Sequence, residues 1–525
     1  MRTARHPSRG TPPLLVFVLT FAALMALHAP LLRLPYFWDE AGYYVPAARD
    51  LLLSGSLIPH SSVSNAHPPL VMAYLALWWK LAGFTPFVTR TAMLVAAAFA
   101  LLGIFQLAKS VAHVEVAIAT AILTALYPVF FAQSSLVHLD LAAAGFTFWG
   151  LYAYMKGKGW ETALWFSLAS LTKETAILAP LALLVWDFGS RLARFKDGNE
   201  WRLRFRRRLH NPFLLLVPAV PLATWYAYHY SRTGFVFGNP EFFRYNVEAT
   251  VRPLRIVLAL LIRLWQTFGY FHLLLLTVAM LLAMRLPPLR DSSGERPRIA
   301  MDAQLAMLAV LLAYVFAMAL VGGAELARYM LPVVPLVILV CVSTLWRRVR
   351  RWRGVIIIIG LAFVTGWFIN PRYGFAPEDN LGYRDYIRLH QHAEEFLEAR
   401  YPAAGVLTAW PASDELTRPY LGYVNRPMRV VRIENFSVEQ LMSAADVRSE
   451  FDVALVFSTK YEPAHPLLEH WRLWEEWKTR FFGYHRDVPL AAAAQILGGS
   501  VVYAESRNGQ WIGVVELEQV VDARK

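Results

Sequence analysis

The chain has 525 residues, of which 57% are hydrophobic and 17% charged, with a mean hydropathy of +0.38 and a net charge of +13. A soluble globular protein carries about 25% charged residues, so the composition points to a polytopic membrane protein. The positive balance does not mark a nucleic-acid binder, because the arginines cluster between apolar runs, where they set topology, and the single cysteine, Cys341, excludes a disulfide framework or a cysteine-rich metal site within the chain.

A basic start, Met1 to Gly10, precedes an apolar run from Leu14 to Leu32. Signal-peptide cores are about 7–15 residues long. This longer run predicts an uncleaved first span with a cytoplasmic N-terminus. Arg33 to His67 forms a loop whose middle, Ala41 to Leu53, has helical spacing and predicts a short helix on the membrane face. Pro69 to Phe84 is short for a span. Reading it as a second interfacial helix, rather than a span, leaves every basic loop on the cytoplasmic side.

Ten further spans follow: Phe87–Ala108, Val114–Phe131, Leu141–Met155, Trp160–Leu171, Ala176–Phe188, Pro212–Tyr230, Gln266–Met284, Met301–Gly322, Met330–Trp346 and Gly354–Ile369. The strongest inside marker is the basic run Arg191–His210; Lys156/Lys158, Arg285–Arg298 and Arg347–Arg353 agree with it. Ser231 to Trp265 reads as an outside loop. The expected fold is an α-helical membrane domain of about 11 spans over residues 1–369, with the first outside loop at 33–84. Residues 370–525 have soluble composition. Strand-like runs at Gly405–Trp410, Met428–Ile433, Asp452–Phe457 and Val501–Ala504 alternate with helical patterns at Tyr386–Arg400 and Leu468–Phe482, which predicts an extracytoplasmic α/β domain.

Acids and bases collect at the outside ends of the spans: Asp39, Glu40, His67, Asp140, Lys173, Glu174 and Arg328. Ionisable groups at a membrane border are costly unless they function. The span before Lys173 has roughly 12 apolar residues, about 18 Å at the helical rise, against a hydrocarbon core of about 30 Å. Lys173 and Glu174 are therefore expected below the outer surface. An acid there can act as general base on an acceptor hydroxyl. Cations can hold a departing phosphate, and a lipid-anchored donor presents its phosphate at that depth. Arg90, at the start of the second span, reads as an anchor, and His138 as structural.

Trp38-Asp39-Glu40, His67-Pro68-Pro69-Leu70, Asp140, Leu171-Thr172-Lys173-Glu174 and Arg328-Tyr329-Met330-Leu331-Pro332 together resemble the GT-C superfamily of membrane glycosyltransferases, within it the protein O-mannosyltransferase and lipid A aminoarabinose transferase group. The residue before Pro-Pro is His in the mannosyltransferases, as here, and Lys in the aminoarabinose enzymes. The resemblance spans Leu14 to Trp346. It implies an inverting transfer of a sugar from a polyprenyl-phosphate donor to a lipid, glycan or protein acceptor of a bacterial envelope, in the plasma membrane. Asp39 is the implied base, with Glu40 and Asp140 placing acceptor, sugar or a divalent metal ion. His67, Lys173, Glu174, Arg328 and Tyr329 line the substrate site, Lys173 and Arg328 being assigned to the phosphate by position and charge. A transporter or lipid-linked-sugar flippase is the alternative; it predicts repeats and mid-membrane charges, of which the sequence has no repeat and few charges.

Overall fold

The computed structural model describes residues 12–196, 209–292, 294–463 and 471–518. The basic N-terminus and most of the Arg191–His210 run lie outside the described residues.

The helices in chain order are α1 (Pro13–His28), α2 (Val45–Ser54), α3 (Leu70–Ala82), α4 (Pro86–Val111), α5 (Val114–Leu126), α6 (Pro128–Gln133), α7 (Leu139–Met155), α8 (Gly159–Thr172) and α9 (Leu178–Lys196). They continue with α10 (Ala219–Thr233), α11 (Pro240–Asn246), α12 (Pro253–Phe268), α13 (Leu273–Ala283), α14 (Met301–Leu320), α15 (Val334–Arg348) and α16 (Trp352–Phe368). A two-strand hairpin, β1 (Arg290–Asp291) and β2 (Gly294–Glu295), precedes α14. Among the described residues, four segments are long and apolar enough to cross a bilayer: Pro13–Leu31, Pro86–Val111, Pro253–Ala283 and Met301–Leu320. Leu70–Ala82, Val114–Leu126 and Trp352–Phe368 are apolar but shorter.

Helices α4, α7 and α8 form the central packing unit. Gly145 on α7 lets α4 approach closely: a Cβ there would lie 2.9 Å from Ala100 Cβ. Small residues at such contacts are the usual means of close helix approach in membranes.

Two predictions need correction. The span expected over Val114–Phe131 divides into α5 and α6, because Pro128 has no N–H to continue the helix. The outside loop expected over Ser231–Trp265 is largely helical, as α11 and α12. Helix α12 continues past a kink at Phe271 and His272, both at positive φ (44° and 67°), into α13. Its pattern misled because its polar residues point inward. Arg255, Arg263 and Gln266 are buried, while Leu254, Val257, Leu261, Leu264 and Trp265 are exposed. Such a helix puts apolar side chains towards lipid and polar ones towards protein.

Beyond α16, helices α17 (Gly382–Arg400), α18 (Ala412–Thr417), α19 (Val438–Ala445) and α21 (Leu490–Leu497) pack on a five-stranded sheet, while α20 (Arg472–Phe482) meets Arg255 of α12. Its strands are β3 (Gly405–Ala409), β4 (Arg429–Ile433), β5 (Val453–Phe457), β6 (Gly499–Arg507) and β7 (Gln510–Leu517), in the order β4-β3-β5-β7-β6. β3 is parallel to β4 and β5; β7 is antiparallel to β5 and β6. β7 was not foreseen. Residues 33–84, with α2 and α3, share one buried cluster with this sheet layer, joining Tyr36, Phe37, Val45 and Leu75 to Tyr386, Leu407 and Leu455.

Candidate active site

Asp39 opens a wide, five-residue turn over Glu40–Tyr44 that feeds α2. Turns of this width often occur at functional sites. The preceding residue, Trp38, has φ 44°, and Ala66, before His67, has φ 56°. Left-handed backbone at such side chains costs on the order of 1–3 kcal/mol and requires surrounding support. The Trp38 ring has that support from Tyr386 and Trp410, at 5.5 and 5.1 Å between centroids. The Ala66 carbonyl accepts a hydrogen bond from Trp225 Nε1 at 2.8 Å.

Arg328, on the turn between α14 and α15, is the hub. Its Nη2 donates to Asp39 Oδ2 at 2.5 Å and its Nη1 to Glu378 Oε1 at 2.6 Å. Its Nε lies 3.3 Å from Asp140 Oδ2. Burial works against the Arg328 charge, but Glu378, Asp39 and Asp140 hold its pKa well above the usual value. Asp140, in the first turn of α7, accepts from Lys173 Nζ at 2.5 Å. Lys173 Nζ also sits 4.1 Å from the centroid of the Tyr329 ring, with Arg263 and Arg328 at 5.5 and 5.7 Å from the same ring. Three cations around one ring is a cation–π arrangement.

Beside this cluster, His67 Nδ1 and Glu174 Oε2 lie 3.0 Å apart. Desolvation raises the Glu174 pKa, yet His67, with Lys173 behind it, outweighs this and holds it at about 2. The Tyr44 ring bridges the two groups, 5.9 Å from His67 and 6.2 Å from His138.

Of the predicted residues, Asp39, Asp140, Lys173, Arg328 and Tyr329 come together, and His67 and Glu174 pair alongside. Glu40 does not join them. It is fully buried, and its carboxylate accepts from Arg90 Nη1 and Nη2 at 2.5 and 2.8 Å, Phe37 N at 2.7 Å and Val137 N at 2.5 Å. Both oxygens are occupied, so Glu40 is a structural partner of Arg90 and has no lone pair directed at substrate or metal. Arg90 is correspondingly a buried ion-pair partner, not an interfacial anchor.

Two site residues escaped sequence reasoning. Glu378 follows the last predicted span and reaches back to Arg328; Tyr270 Oη donates to the neighbouring Asp379 at 2.6 Å. Desolvation pushes Glu378 up to about 8 and Asp379 up to about 7. His138 is buried against Arg328, and burial followed by the Arg328 charge depresses its pKa well below the usual value. Its neutral ring donates from Nδ1 to Gln133 Oε1 at 2.7 Å, leaving Nε2 to accept from Arg328 Nη1 at 3.3 Å. An acidic pair just past an apolar span was the available signal for Glu378, and a histidine two residues before Asp140 that for His138.

Among the predicted acids of the cluster, Asp39 has a side chain 20% exposed against 4% for Asp140, and Glu378 stands at 5%. Asp39 is the most open carboxylate of the cluster. The acids around Arg328 already face Arg328 and Lys173. Among the described residues, the metal-type donor set is elsewhere, at His390, Glu394 and Glu415.

The family model for dolichyl-phosphate-mannose-protein mannosyltransferases matches residues 66–201. No curated protein matches the chain in sequence. In fold, the ArnT of Cupriavidus metallidurans bound to undecaprenyl phosphate is similar, at 14% identity and a TM-score of 0.55, over 95% of this chain and 97% of that one. Its apo form gives 15% identity, a TM-score of 0.54, and coverage of 96% and 97%. The apo oligosaccharyltransferase of Archaeoglobus fulgidus gives 12% identity and a TM-score of 0.48, over 98% of this chain and 75% of that one.

Proposed function

We propose that this chain, which has the fold of the GT-C membrane glycosyltransferases, moves a sugar from a polyprenyl-phosphate donor to a hydroxyl of a cell-envelope lipid, glycan or protein on the extracytoplasmic face. The observation that carries this reading is the single cluster of Asp39, Asp140 and Glu378 around Arg328 and Lys173, built from five separate turns. In the reaction, the acceptor oxygen attacks the anomeric carbon as the bond from that carbon to the phosphate oxygen breaks. The configuration inverts and polyprenyl phosphate departs. Asp39, the more open acid, takes the acceptor proton. Arg328 and Lys173 meet the charge that grows on the leaving phosphate. Asp140 and Glu378 hold these two cations in place until the donor arrives. The fold likeness to a protein bound to undecaprenyl phosphate supports the donor class. The enzyme is read as an integral protein of a bacterial plasma membrane, with residues 370–525 forming an extracytoplasmic domain that bears on acceptor choice.

The test is transfer of radiolabel from a polyprenyl-phosphate sugar to an envelope extract by purified protein. Asp39→Asn is expected to lower the rate by about 10²–10⁴-fold, the usual worth of a general base, with donor binding retained. Equal transfer by both proteins removes Asp39 from the role, and absence of donor binding removes the reading.

A further inference from the structure

A second cluster of ionisable groups lies in the sheet layer, away from the Arg328 site. Tyr386, His390 and Glu394 recur every four residues along α17 and so share one face. Helix α18 brings Glu415 against that face. His390 Nδ1 is 2.6 Å from Glu415 Oε2 and 3.5 Å from Glu394 Oε1. The three residues are at most 1% exposed. His390 Nε2 has no hydrogen-bond partner, and the Glu394 carboxyl meets only His390 and the Glu415 carboxyl. Among the described residues, no lysine or arginine pairs with either glutamate. Buried carboxylates are expected to be paired with a cation or to coordinate a metal. Here two of them face one imidazole and no fixed cation, the reverse of the site around Arg328, where Arg328 and Lys173 meet the acids.

We propose that His390, Glu394 and Glu415 bind a divalent metal ion that fastens α17 to α18. One atom from each residue already lies within 4.8 Å of the others. A cation at about 2.0–2.2 Å from each fits between them after small side-chain rotations. An imidazole with two carboxylates suits zinc, with a second carboxylate oxygen completing its four ligands, whereas magnesium takes oxygen ligands in an octahedron and keeps several waters. The consequence reaches the first loop. Tyr386 stands on α17 and Trp410 just before α18, and these are the rings that hold Trp38, the neighbour of Asp39. The metal therefore braces the platform under the candidate base without touching substrate.

The test uses full-length protein purified in detergent without chelator and with its affinity tag removed. Metal is counted by plasma mass spectrometry after exposure to zinc and gel filtration. Stoichiometric zinc is expected in the wild type, with about tenfold less or lower in Glu394→Gln. EDTA is expected to lower the Tm of the wild type, zinc to restore it, and neither to move that of Glu394→Gln. If that variant does not fold, His390→Gln replaces it, and the chelator response of the wild type stands as an independent reading. Zinc content no higher in the wild type than in the variant, or a wild-type Tm indifferent to EDTA, overturns the metal site and leaves two glutamates sharing a proton.

Discussion

Asp39 and Glu40 are adjacent acids with opposite fates. Asp39 faces Arg328 at the edge of the cluster, whereas Glu40 is sealed against Arg90. Removing one partner of a buried pair leaves the other charged and unpaired, which costs about 3–5 kcal/mol. Glu40→Gln is therefore expected to lower stability by about that amount in denaturant unfolding, while Asp39→Asn loses transfer and keeps most of its stability. Asp379 offers a pH signature. Burial raises it to about 7 from an ordinary 3.8, so the folded protein holds a proton that the unfolded chain has lost in between. Its stabilising contribution is complete below about 3.8 and is lost as pH rises through about 7. Asp379→Asn is expected to gain stability relative to wild type as pH goes from about 5 to 8, read as the difference in Tm at the two ends. A constant difference would show that Asp379 is ionised throughout. The motif around Asp39 was readable from its position after a span. That Glu40 turns away was not, because its partner lies in another helix and the hydrogen bond from Val137 comes from a turn far along the chain.

The helices follow their patterns except where polar residues face inward. Helix α12 has Arg255, Arg263 and Gln266 on its buried side, paired with Glu325 or its carbonyl. An apolar-run reading treats such residues as a break, although their spacing is helical. Where α4 meets α7, the contact depends on Gly145. A larger residue there must push against Ala100 Cβ and Cα, at 2.9 and 3.2 Å from an added Cβ, and neither can rotate away. Gly145→Leu is expected to cost about 1–3 kcal/mol by overpacking, seen as a lower Tm in detergent. Because Asp140 sits in the first turn of α7, reduced transfer is expected with it. An unchanged Tm would mean that the helices have slack at this crossing.

The layout as one body rests on charge placement outside and on a shared core within. The positive-inside rule predicts the basic loops on the cytoplasmic side and the sheet layer on the other. Cys341 is the one cysteine, so a Cys341→Ala background permits single-cysteine labelling. Lys158 and Glu439 are both exposed. Glu439→Cys is expected to react with a membrane-impermeant maleimide in intact cells, and Lys158→Cys only after permeabilisation. Labelling of both from the same side would overturn the topology. The buried cluster that joins Phe37 and Val45 to Leu407 and Leu455 makes the sheet layer part of the support for Asp39, not a separate attachment.

Composition and charge spacing alone point to a polytopic membrane chain and pick out Asp39, Glu40, His67, Asp140, Lys173, Glu174 and Arg328 at the outside ends of its spans, because hydropathy and the cost of charge near lipid act locally along the chain. Which acids share Arg328, which one Arg90 removes from the site, and that Glu378 and His138 belong to it depend on contacts between residues as far as 289 positions apart. Such pairs are formed by helix packing and by the fold-back of the segment after α16. Local sequence carries no record of them, because an ionisable side chain looks the same whether its partner is substrate or another buried charge.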